Sequence, residues 1–106
     1  MKLKSPFSKS VYEKNAQIYR MMAHPLRLEI LNLLKGREVC VDDMAKVLEK
    51  RKANISQHLA LLRYSRVVSV RKEGQHVFYS LADPAIVEPC RIFRDLWKKR
   101  EKNGDI

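Results

Sequence analysis

Cysteine and glycine are both scarce in this chain of 106 residues, which has two cysteines, three glycines and four prolines. Two cysteines cannot form the disulfide framework of a small secreted domain, and they do not form the CxxC pair typical of zinc sites. Apolar runs are only a few residues long, and the basic N-terminus lacks the apolar core of a signal peptide. We therefore expect one cytoplasmic domain over residues 1–106, with flexible ends at 1–8 and 101–106 and no membrane contact.

Positive charge, in contrast, is abundant. Lysine and arginine total 22 against 12 acids, which gives a formal net charge of +10. From Lys50 to Lys72 the chain contains seven cations and no acid. Such a balance favours a polyanionic partner, although charge alone does not separate DNA from RNA or an anionic membrane.

Hydrophobic spacing divides the chain into helices and one hairpin. Apolar residues recur at helical spacing in four successive segments, and the spacing then changes to a Val-, Phe- and Tyr-rich stretch around the turn "KEGQ". In the last segment Asp83 and Pro84 are suited to open a helix. The predicted order is α-α-α-α-β-β-α, mainly α with a β-hairpin wing. Two short helices followed by a basic hairpin form a winged helix-turn-helix.

Three segments resemble the ArsR/SmtB family of small dimeric repressors of bacteria and archaea. "MMAHPLRLEILNLL" is similar to the family's "ALADPTRLRILxLL", and "DDMAKVLEKRKANISQHLALLRYSRVV" is similar to "xELAxxLGLSQPxVSxHLxxLRxAGLV". "VRKEGQHVFYSLAD" resembles the family's wing. The chain departs from the pattern at Arg51 and Lys52, where the recognition helix opens, and at Ser65 and Arg66, where a small residue and glycine usually end it. The operator of this chain can therefore differ from that of typical members.

The residue chemistry and the resemblance both predict a DNA-binding face. Positions 53, 54 and 57 share one side of a helix with about 3.6 residues per turn. Amide side chains suit adenine edges, and lysine suits guanine or phosphate. His58 has a packing role as an equally weighted alternative. The predicted DNA-contacting residues are Lys52, Asn54, Ser56, Gln57, His58, Arg71, Lys72 and Gln75.

The resemblance also implies a homodimer that binds an inverted-repeat operator through double-stranded DNA contacts. The first and last helices are expected to form the dimer, because the last helix has more apolar surface than a small monomer needs. The alternative is that these residues complete the monomer core. The predicted dimer residues are Ile86, Val87, Ile92, Phe93, Leu96 and Trp97.

The segment "EVCVDDM" resembles the family's metal-binding motif "ELCVCDL", with Cys40 retained and Asp42 in place of the second cysteine. Arsenite sites need three thiolates, and soft thiolate clusters also suit cadmium or lead. One chain offers only Cys40 and Cys90, so a soft metal or metalloid would need a partner's cysteine. Asp83 matches the first ligand of the family's zinc site, but Ala85, Leu96 and Lys99 occupy positions of other ligands. That site is expected to be lost.

Helix starts provide a second interpretation of the two thiols. Cys40 has the spacing of an N-cap, and Cys90 falls in a first turn if a helix restarts at Pro89. Such positions favour the thiolate, although Asp42 and Asp43 oppose this at Cys40. We therefore expect a repressor released from DNA by an oxidant or reactive sulfur at Cys40 and Cys90. Arsenite or cadmium sensing, a constitutive module with inert cysteines, and an RNA- or partner-binding adaptor are the alternatives. No enzymatic activity is expected.

Overall fold

The computed structural model describes residues 2–104, and Met1, Asp105 and Ile106 lie outside the described residues. Within that range the elements are α1 (Lys9–Met22), α2 (Pro25–Leu33), β1 (Val39–Cys40), α3 (Val41–Leu48), α4 (Lys52–Tyr64), β2 (Val68–Glu73), β3 (His76–Leu81), a 3-10 turn (Pro84–Val87) and α5 (Glu88–Lys102). The predicted α-α-α-α-β-β-α order is confirmed, with β1 and the 3-10 turn as additions. Flexibility at residues 1–8 and 101–106 stays a prediction. No helix in the described range is both long and apolar enough to cross a bilayer.

Capping residues explain where several of these helices begin. The Ser8 side chain accepts a hydrogen bond from the Val11 N–H at 3.3 Å and caps α1. His24 caps α2 with its Nδ1 atom, which accepts from the Leu26 N–H at 3.2 Å. Asp83 accepts from the Ala85 N–H at 2.8 Å, but it opens the 3-10 turn and not the last helix itself. The last helix begins at Glu88, so that Pro89, which lacks an N–H, lies in the first turn.

The wing is part of a three-stranded antiparallel sheet with strand order β1-β3-β2. β2 pairs with β3 from Val68 opposite Leu81 to Glu73 opposite His76. Gly74, with φ of 61°, takes the first position of the two-residue turn, where a left-handed backbone favours glycine. Cys40 lies opposite Phe78 in β3, so the start of α3 is fixed to the base of the wing.

The core is formed by α2, α3, α4 and the start of β2. Ile30, Leu31 and Met44 have no exposed surface, and on α4 the same is true of Ile55, Leu59 and Leu62. The predicted inner face of α4 is thereby confirmed. The other buried apolar residues are Met22, Leu26, Leu34, Val67, Val68 and Val87.

The last helix contributes no buried residue of its own. In the single chain its apolar side chains are exposed to solvent: Ile92, Phe93, Leu96 and Trp97 are 56%, 55%, 38% and 49% exposed. Val87 differs from the prediction, because it is only 2% exposed and packs in the core of a single chain. Its side chain is therefore not available to a second subunit, whereas half-buried Ile86 lies at the edge of the core.

Candidate nucleic-acid interface

The two faces of α4 differ in character, as a recognition helix requires. One face is fully buried through Ile55, Leu59 and Leu62. Away from these positions, the structure leaves a set of polar side chains open to solvent. Four predicted DNA-contacting residues belong to this set: Lys52, Asn54, Ser56 and Gln57. Because α3 packs against α4, the pair has the arrangement of a helix-turn-helix.

Lys52, the first residue of α4, is joined to the first turn of α3. Its Nζ atom lies 2.9 Å from Oδ1 of Asp42, and both side chains are largely exposed. The hydrogen bond and the charge of Lys52 hold the pKa of the Asp42 carboxyl below its usual value. The same cation that is predicted to reach DNA therefore already has a partner within the protein.

On the wing, Lys72 and Gln75 are exposed, as predicted. Arg71 is exposed too, but it lies between two carboxylates. Its Nε atom is 3.0 Å from Glu38 Oε2, and its Nη1 atom is 2.6 Å from Glu73 Oε2. The hydrogen bonds that the guanidinium donates to Glu38 and then to Glu73 raise its pKa. The guanidinium carbon Cζ of Arg71 also lies 4.9 Å from the centre of the Phe78 ring, so Arg71 is fixed against the sheet.

The surroundings of His58 are those of the packing alternative. It is half-buried, and its Nδ1 atom accepts a hydrogen bond from Arg27 Nε at 3.1 Å. Its ring centre is 4.5 Å from that of His24, which caps α2. Burial, and then the charges of His24 and Arg27, lower the pKa of His58. His58 therefore packs between α4 and α2, and its contact with phosphate stays a prediction.

Sequence reasoning missed the acids that hold the predicted cations. Glu38 and Asp42 reach Arg71 and Lys52 from positions far away in the chain, and neither spacing corresponds to a helix or strand repeat. Glu73 could have been found, because residues i and i+2 of one strand share a face. Arg27 was also missed, although it joins α2 to His58 and to the Met21 carbonyl oxygen, 3.0 Å from Nη1.

The two cysteines are free thiols in different surroundings, and both are half-buried. Cys40 occupies the N-cap position of α3, as predicted, but its side chain makes no capping hydrogen bond. Cys90 lies in the first turn of α5, as expected for a helix that restarts near Pro89, and its Sγ atom is 3.4 Å from Asn32 Nδ2 of α2. Cys40 thus belongs to the wing base and Cys90 to the α2–α5 contact. Within residues 2–104 no cluster of three or more His, Cys, Asp or Glu residues is arranged to hold a metal.

An apolar groove of about 800 Å³ separates α5 from α1 and α2. Tyr19, Met22 and Leu28 form one side, and Phe93 and Trp97 form the other. Cys90 lies in the wall of this groove. The exposed face of α5 and one of the two thiols therefore share one surface.

Comparison with known proteins is consistent with this architecture. The family model described as bacterial regulatory protein, arsR family, matches residues 24–70. The HTH-type transcriptional regulator Rv0081 of Mycobacterium tuberculosis is 34% identical over 88 residues, which are 82% of this chain and 77% of the relative. The chain belongs to the ArsR family. The predicted ArsR/SmtB resemblance is thereby confirmed, as is the coarser prediction of a DNA-binding transcriptional regulator.

Solved structures of two transcriptional regulators superpose closely on the chain. The crystal structure of Rv0081 has a TM-score of 0.76 over 93% of this chain and 100% of that chain, at 30% identity. The transcriptional activator HlyU of Vibrio cholerae is 36% identical over 97 residues, 88% of this chain and 90% of HlyU. Its structure has a TM-score of 0.76 over 85% and 98% of the two chains, and the protein has also been solved in a reduced form.

A more distant structure shares the fold alone. The DNA-binding domain of Mb0332 from Mycobacterium bovis, described as a homodimeric winged helix-turn-helix, has a TM-score of 0.76 at 21% identity. That match covers 97% of this chain and 95% of the domain. The winged helix-turn-helix architecture predicted from the sequence therefore extends over nearly the whole chain.

Proposed function

We propose that this ArsR-family regulator is a dimeric repressor that places α4 in the major groove of an inverted-repeat operator. The observation that supports this most directly is the division of α4 into a fully buried face and an exposed face with Lys52, Asn54 and Gln57. Amide side chains at such positions read base edges, whereas lysine neutralises phosphate or contacts guanine. The exposure of Lys72 and Gln75 supports a contact of the wing with the neighbouring backbone or groove.

The proposed dimer uses the face formed by α1 and α5. Four apolar side chains of α5 are 38% to 56% exposed, and the groove beside them is apolar. An open apolar surface of this kind is typical of an interface in a small protein. The Mb0332 domain, which has the same fold, is described as homodimeric, and this supports a dimeric state. Two copies related by a two-fold axis would place two recognition helices on an inverted repeat.

Selection from a random DNA pool, followed by fluorescence anisotropy, tests the DNA-binding proposal. The wild-type protein should enrich an inverted repeat, and affinity should fall steeply with salt because counterions are released from each neutralised phosphate. Asn54→Ala and Gln57→Ala should each lower the affinity for the enriched duplex by about 10-fold, as expected for a lost base contact. Gln17→Ala, an exposed amide on α1, is the matched control. Equal effects of all three variants would contradict the assignment of the reading face.

For the inducer, we propose thiol chemistry with Cys90 as the reacting residue and Cys40 as a second sensing thiol. The Cys90 thiolate attacks a peroxide oxygen, the O–O bond breaks, and sulfenic acid and hydroxide are formed. With polysulfide, the thiolate attacks a sulfane sulfur and displaces a shorter polysulfide. Two observations support Cys90 in this role: its half-buried thiol lies in the wall of the open groove, and Asn32 Nδ2 lies 3.4 Å from Sγ and fixes the position of the sulfur. The existence of a reduced form of HlyU is consistent with thiol chemistry among relatives.

A panel of peroxide, polysulfide, arsenite and cadmium, with the mass of each thiol followed in parallel, separates the inducer classes. Peroxide or polysulfide should release the wild-type protein from DNA and modify Cys90 first. Cys90→Ser should keep DNA binding and lose the response, while Cys40→Ser shows whether the second thiol takes part. Release by arsenite or cadmium alone would instead support a metalloid-responsive repressor, with a partner's cysteine completing the site. No release by any of the four would favour a constitutive DNA-binding module.

A further inference from the structure

Two of the cations predicted to contact DNA are held by acids of the same chain. Asp42 holds Lys52 of the recognition helix at 2.9 Å. Glu38 and Glu73 hold Arg71 of the wing at 3.0 and 2.6 Å. We call these three acids the masking acids. They reduce the positive charge on both DNA-contacting elements of a protein whose overall charge is +10.

The sheet keeps two of these acids in place. Glu38 directly precedes β1, and Asp42 is the second residue after the strand, so the two acids flank it. Val39 and Cys40 of β1 pair with Tyr79 and Phe78 of β3. Phe78 is also the partner of Arg71 in β2, and it lies beneath the guanidinium. The segment from Glu38 to Asp42 is therefore fixed at the wing base. Its first residue contacts the wing, and its last residue contacts α4.

We propose that the masking acids withhold Lys52 and Arg71 from non-specific DNA, so that both cations contact DNA only on the operator. Glu38, Asp42 and Glu73 are in this sense specificity-determining residues. The inference rests on the proposed function, since it assumes that α4 and the wing bind DNA.

The sizes of the interaction free energies explain why the acids would affect binding to random DNA and to the operator differently. An exposed ion pair changes an equilibrium by about two- to five-fold, which is comparable to one screened phosphate contact. Random DNA offers only phosphates, and the intramolecular carboxylates, which are already in place, hold the cations against them. On the operator, base contacts by neighbouring residues of α4 add about 10-fold or more each and fix the helix in the groove. That gain exceeds what is lost when the ion pairs break.

The salt dependence of binding measures the masking directly. The log–log slope of affinity against salt steepens by about 0.9 for each additional phosphate that is neutralised. The test variants are Asp42→Asn, which frees Lys52, and the double variant Glu38→Gln with Glu73→Gln, which frees Arg71. The probes are a random-sequence duplex and the duplex most enriched by the wild-type protein.

Matched controls remove the same charge without breaking an ion pair. Asp43 and Glu29 are exposed acids that form no salt bridge among the residues described, and Asp43 lies next to Asp42. Asp43→Asn is the control for the single variant, and Asp43→Asn with Glu29→Gln is the control for the double variant. Unchanged circular dichroism and unfolding curves confirm that each protein is folded.

On the random duplex, each test variant should bind about two- to five-fold more tightly than its control and steepen the slope by about 0.9. On the enriched duplex the slope should stay at its wild-type value. An unchanged slope on random DNA, or equal steepening on both duplexes, would overturn the proposal. Failure of the proposed function has a different signature, namely that the wild-type protein enriches no inverted repeat; the random-duplex measurements then still decide whether the acids mask the two cations.

Discussion

Cys40 is an unusual N-cap, because its backbone has the extended conformation of a cap (φ −86°, ψ 163°) while its thiol accepts no hydrogen bond. A serine hydroxyl at this position accepts a hydrogen bond from a free N–H at the start of the helix. Sulfur is a weak acceptor, so with cysteine that N–H is hydrogen-bonded to water. The absence of the cap bond is consistent with a residue retained for its chemistry and not for helix stability.

The stability of the protein should therefore depend on which residue replaces Cys40. Cys40→Ser should exceed Cys40→Ala in the free energy of unfolding by about 1 kcal/mol, since serine can cap α3 and alanine cannot. Urea unfolding at one protein concentration measures the difference. Equal stabilities of the two variants would mean that α3 gains nothing from a side-chain cap at residue 40.

A second residue-scale feature is the left-handed backbone of Arg66, with φ of 62°. The Val67 N–H donates to the Leu62 carbonyl at 3.1 Å, and the Arg66 N–H donates to the Arg63 carbonyl at 3.0 Å. These two bonds form the Schellman motif, in which glycine usually occupies the position of Arg66. The departure from the family pattern noted in the sequence thus has a physical consequence, because an L-residue is strained there.

Glycine at position 66 should consequently stabilise the protein. Arg66→Gly is expected to raise the free energy of unfolding by about 1 kcal/mol. Arg63→Gly removes the same charge inside α4 and should lower it by a similar amount, because glycine is unfavourable within a helix. Thermal or urea unfolding of both variants tests this, and changes of the same sign would contradict the account.

At the scale of elements, His58 connects the recognition helix to the rest of the domain. Its hydrogen bond from Arg27 requires an unprotonated Nδ1 atom, and its pKa lies below the ordinary 6.5. Between the lowered pKa and 6.5, the unfolded chain binds more protons at this residue than the folded chain does. The contribution of His58 to stability is therefore present above about pH 6.5 and decreases as the pH falls through that window.

This pH dependence is measurable by substitution. His58→Asn keeps an acceptor for Arg27 but removes the titrating group, so its stability relative to wild type should improve as the pH falls from 7.5 to 5.5. His76→Asn, which removes an exposed histidine of the wing, controls for the number of histidines. A constant difference between wild type and His58→Asn across this range would show that His58 does not titrate in the network.

The elements that could be predicted from the sequence are those with local signals. Helical spacing identified α4 with its inner residues Ile55, Leu59 and Leu62, and the turn around Gly74 identified the wing. β1 could not be predicted in this way, because two residues carry no periodic signal and the strand exists only through pairing with β3. The contacts of Arg71 with Glu38 and of His58 with Arg27 join residues 33 and 31 positions apart, and tertiary folding alone brings them together.

At the scale of the whole molecule, the folding of one chain leaves the apolar face of α5 uncovered. Val87 belongs to the core, but Phe93 and Trp97 remain about half exposed beside the apolar groove. This division separates residues that fold the monomer from those that are free to join two monomers. The sequence pattern alone did not distinguish the two groups, because all of them are apolar and lie within a dozen positions of one another.

A charge placed on this face should therefore separate the subunits. Burying the exposed half of Phe93 in both copies contributes about 2 kcal/mol, so Phe93→Glu should weaken the dimer by about 30-fold or more. Sedimentation measures the shift towards monomer, and operator affinity should fall with it because two recognition helices no longer act together. Val47→Glu places the same charge on an exposed apolar residue of α3 and should leave sedimentation unchanged. If Phe93→Glu sediments as the wild-type protein does, the two subunits must meet through another surface, and the apolar face of α5 would need a different partner.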